Sequence, residues 1–253
     1  MTIVVAAALS AGLYLAGVRE ASGRWPAWRT AAWCAGLVVL VAALIGPVHD
    51  RAEALLSAHM LQHLAVTLAA APLLVLGAPV ALALRALRGG SRRRLGAAVT
   101  SRPARVLAHP LTGWAAFAAG TAVPHVTGLY DAALRHPALH ELEHVLFLAT
   151  ALVWWTSVIG VHPGDARLGA IGRLAWVMAA MPVMAGVGAW LAQSDAVRYA
   201  AYTGAGALAD QRDAGSLMWA LGTFPMALAA FALAGEALWR EERRQRRREA
   251  VRA

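Results

Sequence analysis

Only one cysteine, Cys34, occurs in the 253 residues, and lysine is absent, so that all 23 basic side chains are arginine. A single thiol excludes an internal disulfide and any C-x-x-C metal or redox motif. Charge is scarce at 15% of residues, and no Ser-, Gln- or Pro-rich linker divides the chain. There is no nucleotide-binding glycine loop, no G-x-S-x-G elbow and no serine-triad order. Apolar residues fill the space at 59%, with a mean hydropathy of +0.54, well beyond what a soluble core needs. A soluble enzyme, a disordered chain and a secreted disulfide scaffold are thereby excluded.

A helical crossing of a hydrocarbon layer roughly 30 Å thick takes about 20 apolar residues. Seven apolar stretches meet that need, near residues 2–18, 30–48, 54–84, 106–124, 136–160, 168–192 and 214–239. They are solidly Ala, Leu, Val and Gly, without the alternation of β-barrel strands. The predicted fold is an all-α polytopic membrane protein of seven transmembrane helices. It forms one domain over residues 1–239, followed by a basic tail, 240–253. No basic residue precedes Arg19, so the first stretch reads as a retained helix rather than a cleaved signal.

If the seven stretches cross in turn, nineteen arginines fall on one side and four, Arg51, Arg135, Arg198 and Arg212, on the other. Basic residues concentrate on the cytoplasmic side, which predicts an outer N-terminus and a cytoplasmic C-terminus. The arginine clusters read as topogenic charge drawn to anionic headgroups, so the implied partner is the lipid bilayer and not nucleic acid. Within the third stretch, the uncharged run Ala54 to Leu84 would make a helix of about 46 Å, too long for one crossing. Pro72, Gly77 and Pro79 predict a kink or an end there.

Ionisable groups inside a membrane are costly and tend to face a cavity, a partner or a ligand. Seven histidines fall at outer span ends or in outer loops: His49, His59, His63, His125, His136, His140 and His144; His109 and His162 fall on the inner side. The spacing i, i+4 occurs twice, in His59-Met60-Leu61-Gln62-His63 and in His140-Glu141-Leu142-Glu143-His144. Each pair lies on one helical face, about 6 Å apart along the axis. If the third and fifth spans pack together, four imidazoles could converge on one outward-facing site. Imidazole suits copper, zinc, iron and nickel; the structural alternative is hydrogen bonding between helices. His125 and His136 stand at the same level, and Asp50, Asp131, Glu141 or Glu143 could orient ring N–H groups, although Asp131 equally fits a helix start.

Met60 and Met218, near the outer ends of their spans, offer thioethers that favour Cu(I), whereas Met178, Met181 and Met184 read as packing. Tryptophans 25, 28, 33, 154, 155, 190, 219 and 239 lie toward span ends, partly as an interfacial belt. Small residues such as Gly186-Val187-Gly188 allow close helix approach. The run from His140 to His144 also matches the H-E-x-x-H pattern of zinc proteases, so a membrane zinc hydrolase or protease using His140, Glu141 and His144 is a rival reading. A metal-free structural or partner-binding membrane protein is another. Two histidine pairs at one depth fit a di-haem carrier less well.

The run Pro47-Val48-His49-Asp50-Arg51, then Leu56-Ser57-Ala58-His59-Met60-Leu61-Gln62-His63, then Ala71-Pro72 through Gly77-Ala78-Pro79, resembles the signature of CtaG-type cytochrome c oxidase assembly factors. The resemblance continues through Leu129-Tyr130-Asp131, His140 with Glu143-His144, Phe147, Trp154-Trp155, and Asp210-Gln211 with Gly215 and Met218-Trp219. It implies a multi-pass protein of the plasma (inner) membrane that helps assemble a haem-copper oxidase by handling copper. It implies that His59, His63, His140 and His144 are the metal ligands, with Met60, Asp131, Glu143 and Met218 as nearby support, and that the match of Glu141 to the protease pattern is accidental. The expected function is non-enzymatic. Copper, as Cu(I), with zinc as the alternative, is held at the outer face and passed to oxidase subunits or a periplasmic copper carrier.

Overall fold

The computed structural model describes residues 2–160 and 168–252, and every regular element among them is helical. His162 and Arg167, placed by the sequence on the inner side, lie outside the described residues. In chain order come α1 (Thr2–Glu20), α2 (Ala27–Leu44), a short α3 (Pro47–Ala52) and α4 (Leu56–Leu64). A π-helical segment (Ala65–Ala70) joins α4 to α5 (Ala71–Leu76), and α6 (Pro79–Ala86), α7 (Gly89–Val99) and α8 (Arg102–Leu107) follow. The remainder is α9 (Pro110–Val126), α10 (Leu129–Arg135), α11 (Pro137–Ile159), α12 (Ala170–Ala192) and α13 (Ala207–Arg252).

Six of these segments are long and apolar enough to cross a membrane: Ile3–Glu20, Ala27–Leu44, Leu56–Ala86, Pro137–Ile159, Ala170–Ala192 and Ala207–Ala250. The predicted span near 106–124 corresponds to α9, whose 17 residues fall short of that length. His109 and Pro110 start it late, and it stops at Val126, two residues after Pro124.

Side-chain contacts fix the helix directions. Tyr14 Oη donates to Gly77 O at 2.7 Å and Gly17 abuts Leu82, so α1 runs with α5 and α6. Gln62 Nε2 donates to Ala43 O at 2.9 Å and Gly36 abuts Leu74, so α2 runs against α4 and α5. Gly113 abuts Trp154 and Gly120 abuts Thr150, setting α9 against α11. His59 meets His140 and Trp155 meets Thr67, so α11 runs with α4. Asp210 meets Leu56 and Gly222 lies by Leu64, so α13 also runs with α4. In α12 and α13, Gly188 abuts Gly215 and Arg173 pairs with Glu236 at 2.5 Å, an antiparallel match. Successive long helices therefore alternate in direction, with α1, α4–α5, α11 and α13 pointing one way and α2, α9 and α12 the other.

The main core lies among α4, α9, α11, α12 and α13, centred on Leu56, Met60, Phe117, Trp154 and Leu191. Trp154 and Trp155 belong to this core and not to an interfacial belt: both are buried, Trp154 stacked on Phe117 at 4.5 Å between ring centroids. Gly113, without a Cβ, lets α9 approach the Trp154 backbone closely, which draws the indole inward. Trp28, Trp219 and Trp239 remain exposed. The outward faces are apolar too, as in Leu13 and Phe231, the arrangement of a bundle solvated by lipid.

The long third stretch bends in two places. Ahead of Pro72, which has no N–H to donate, the Ala71 N–H reaches back to Val66 O, five residues away. The Thr67 carbonyl, which faces Pro72 and so lacks a backbone donor, accepts from Trp155 Nε1 at 2.9 Å, and Thr67 Oγ1 donates to His63 O at 2.7 Å. The helix then ends at Ala78, whose φ of 48° is left-handed, and Pro79 opens α6. The predicted break at Gly77 to Pro79 is present; the π turn was not visible in the sequence.

Candidate metal centre

The first turn of α4 has no side-chain cap of its own. Asp210 of α13 takes that part: its carboxylate accepts from Leu56 N at 2.6 Å, Ser57 N at 3.3 Å and Ser57 Oγ. A carboxylate at a helix N-terminus satisfies orphan N–H groups and complements the helix dipole. This anchors the turn that carries His59 and His63 against α13. On the facing helix, Pro137 opens α11, and His140 and His144 follow on the face turned toward His59 and His63.

The four imidazoles converge. Ring centroids are 4.4 Å apart for His59 and His63, 4.5 Å for His140 and His144, 4.9 Å for His59 and His140, and 5.5 Å for His63 and His144. The candidate ligand atoms of His59, His140 and His144 all lie within 4.8 Å of one another, and so do those of His59, His63 and Glu143. His59 belongs to both groups. His59 Nε2 and His140 Nε2 are 3.2 Å apart. Two imidazole nitrogens bound at about 2.0 Å to a tetrahedral ion would stand roughly 3.3 Å apart, so this pair already has the spacing of a ligand edge.

Hydrogen bonds assign the ring nitrogens. Tyr202 Oη donates its one proton to Ala52 O at 2.8 Å, so its 2.9 Å contact with His59 Nδ1 is a bond from the ring N–H. The lone pair of His59 is therefore on Nε2, facing His140. Gln62 gives its amide hydrogens to Ala43 O and to His49 Nδ1, at 2.9 and 3.2 Å, so its Oε1 accepts from His144 Nε2 at 3.2 Å. Burial first, and the nearby Asp210 second, push the Tyr202 phenol well above its usual range, keeping it protonated. Gln211 accepts from Arg198 N at 2.6 Å and donates to Ala196 O at 3.1 Å, tying down the loop that carries Tyr202.

Several polar atoms here are buried without a hydrogen-bond partner: both nitrogens of His63, both carboxylate oxygens of Glu143, His125 Nε2 and Tyr130 Oη. His63 Nε2 and Glu143 Oε2 stand 3.9 Å apart. Each such group costs about 1–3 kcal/mol, so their concentration works against stability and fits a place shaped for a ligand.

Other predicted residues are distributed unevenly around this cluster. Met60 and Met218 are buried beside His63, and His125 is buried with Nδ1 donating to Thr121 O at 2.6 Å. His136 is exposed and takes no part: it is the extended residue ahead of Pro137. Asp131 accepts from Ala201 N at 3.1 Å, holding the same loop and orienting no imidazole. Asp50 and Glu141 are exposed, so the acid called for by the protease pattern is absent from the cluster while Glu143 is within it. Sequence reasoning missed Tyr202, Tyr130 and the orienting part of Gln62. The positions of Gln62, between the paired histidines, and of Tyr130, beside Asp131, were the available signals.

Fold and cluster together define a polytopic helical membrane protein with a nest of imidazoles near one end of its bundle. The model of the cytochrome c oxidase caa3 assembly factor family matches residues 12–240, and the chain belongs to that family. It is 32% identical over 262 residues to uncharacterised proteins of Mycobacterium bovis and Mycobacterium tuberculosis, covering 98% of this chain and 39% of each of theirs. A Mycobacterium leprae protein, also uncharacterised, is 32% identical over 250 residues, covering 92% of this chain and 38% of its own length. The chain thus spans about two fifths of the length of the curated relatives it matches. No solved structure matches it.

Proposed function

We propose that this chain is a non-catalytic assembly factor for a haem-copper oxidase, which holds copper as cargo, in the Cu(I) state, on His59, His63, His140 and His144 and releases it to an oxidase subunit or a copper carrier. The observation that carries the reading is the convergence of four imidazoles, with the His59 Nε2 lone pair fixed by Tyr202 and 3.2 Å from His140 Nε2. Neutral imidazoles add no charge of their own, so a site filled by Cu(I) carries one positive charge where a divalent ion would bring two, and an ion near the bundle end can leave by ligand exchange with an incoming donor. The exposure of Glu141 tells against the zinc-protease alternative.

The same reading takes α9 as a seventh crossing, because the long helices alternate in direction and α9 lies antiparallel along α11. With arginines biased toward the far end, the N-terminus and the histidine cluster then face outward from the plasma membrane. The test is the metal content of detergent-purified protein, together with the copper loading of the oxidase in a deletion strain. At least one Cu(I) per chain and an oxidase poor in copper are expected; zinc in place of copper, or a normally loaded oxidase, would overturn the reading.

Tyr202→Phe removes the orienting bond to His59 Nδ1 together with the bond to Ala52 O. Loss of such an outer partner lowers metal affinity by roughly 10–100-fold. Competition with a chromophoric Cu(I) chelator is expected to show that drop, with helix content unchanged.

A further inference from the structure

Beside the histidine cluster, toward the interior of the bundle, lies a cavity of ≈ 10 Å³, about the room that one water or ion needs. Three thioethers from three helices line it: Met60 of α4, Met184 of α12 and Met218 of α13, at 1%, 3% and 1% exposure. His125 of α9 lines it too. Its Nδ1 is committed to Thr121 O, while Nε2 is buried and unpartnered. His63 borders the cavity and also belongs to the group formed with His59 and Glu143.

Methionine commonly fills irregular gaps, but here three of the seven methionines in the chain surround one small cavity that also holds an imidazole nitrogen with no partner. Thioether and imidazole together are a soft donor set that selects Cu(I) over harder, divalent ions. We propose that this cavity is a second Cu(I) site, formed by Met60, Met184, Met218 and His125, with His63 shared between it and the outer four-histidine cluster. The inner site stores an ion in the bundle and returns it to the outer cluster through His63. The transfer exchanges ligands at constant oxidation state, so it needs no electron donor or acceptor. This proposal rests on the copper reading of the outer cluster.

The test is an anaerobic titration of the purified full chain with Cu(I) under chelator competition, read alongside X-ray absorption at the copper edge. Two equivalents are expected, the second bringing sulfur scattering. Met184→Leu/Met218→Leu, a volume-conserving change, is expected to lose the second equivalent and its sulfur signal while retaining the first. One equivalent with nitrogen neighbours alone, unaffected by the methionine changes, overturns the second site and leaves the outer cluster standing. No Cu(I) bound at all overturns both. The absorption spectrum of the unsubstituted protein decides the matter even if the double variant does not fold.

Discussion

His59→Ala is expected to abolish copper binding at the four-histidine cluster, with an affinity loss there of more than 100-fold, and to reduce oxidase activity in a complemented deletion strain to the level of the deletion. No other single histidine should match it. His59 is the residue shared by both candidate ligand groups, and its Nε2 faces His140 at 3.2 Å. Its removal also leaves the Tyr202 hydroxyl without its ring N–H donor. His144 stands farther from His59, at 6.2 Å between ring centroids, and is already hydrogen-bonded to Gln62. Its replacement leaves three imidazole ligands in place and should cost less than that of His59, roughly 10-fold, or about 1.4 kcal/mol. Chelator competition on the two variants side by side checks the order, and an equal or reversed ranking would remove His59 from the centre of the site.

Gly215→Leu is expected to prevent recovery of a folded protein. A Cβ at Gly215 would overlap the Ala192 backbone and lie 2.5 Å from Gly188 O. At Gly188 a Cβ would stand 2.7 Å from Trp219 N. Both obstacles are backbone, which cannot swing aside as a flexible side chain can. Overpacking a well-filled interior costs about 1–3 kcal/mol when side chains can adjust, and forcing two helix backbones apart costs more. Asp210, Gly215 and Met218 all belong to α13, so separating α12 from α13 also disturbs the cap on α4 and the inner cavity. Yield of monodisperse protein and the thermal midpoint in detergent are the measurements; a midpoint equal to that of the unsubstituted protein would show that the helices do not cross so closely.

The helices and the two histidine pairs could be read in the sequence because each depends on local regularities. Apolar length marks a crossing, and i, i+4 spacing puts two side chains on one face. The groups that orient the site were not legible in this way. Tyr202 reaches His59 and Asp210 reaches Leu56 across about 150 residues of chain, and no local pattern encodes such a pairing. Met184 is buried in the core, as its packing reading requires, while Met178 is exposed; that Met184 lines one cavity with methionines of two other helices was not legible from its spacing with Met178 and Met181. His136 failed in the opposite sense. It lies at the right level, but the proline after it fixes an extended backbone that keeps it out of the cluster.

The π segment between α4 and α5 bears on rotation. An α-helix turns about 100° per residue, and a π turn accommodates one additional residue in the rod. The two halves are therefore set at different angles: His59 and His63 face α11 and α13 while Leu74 stays seated against Gly36 of α2. Regular α-helix restored at the present length, as replacement of Pro72 would allow, would turn one half against the other by about that angle and uncouple histidine placement from helix packing without altering a single ligand. Deleting one residue from Ala65–Ala70 would instead remove the additional residue and leave both halves facing as they do.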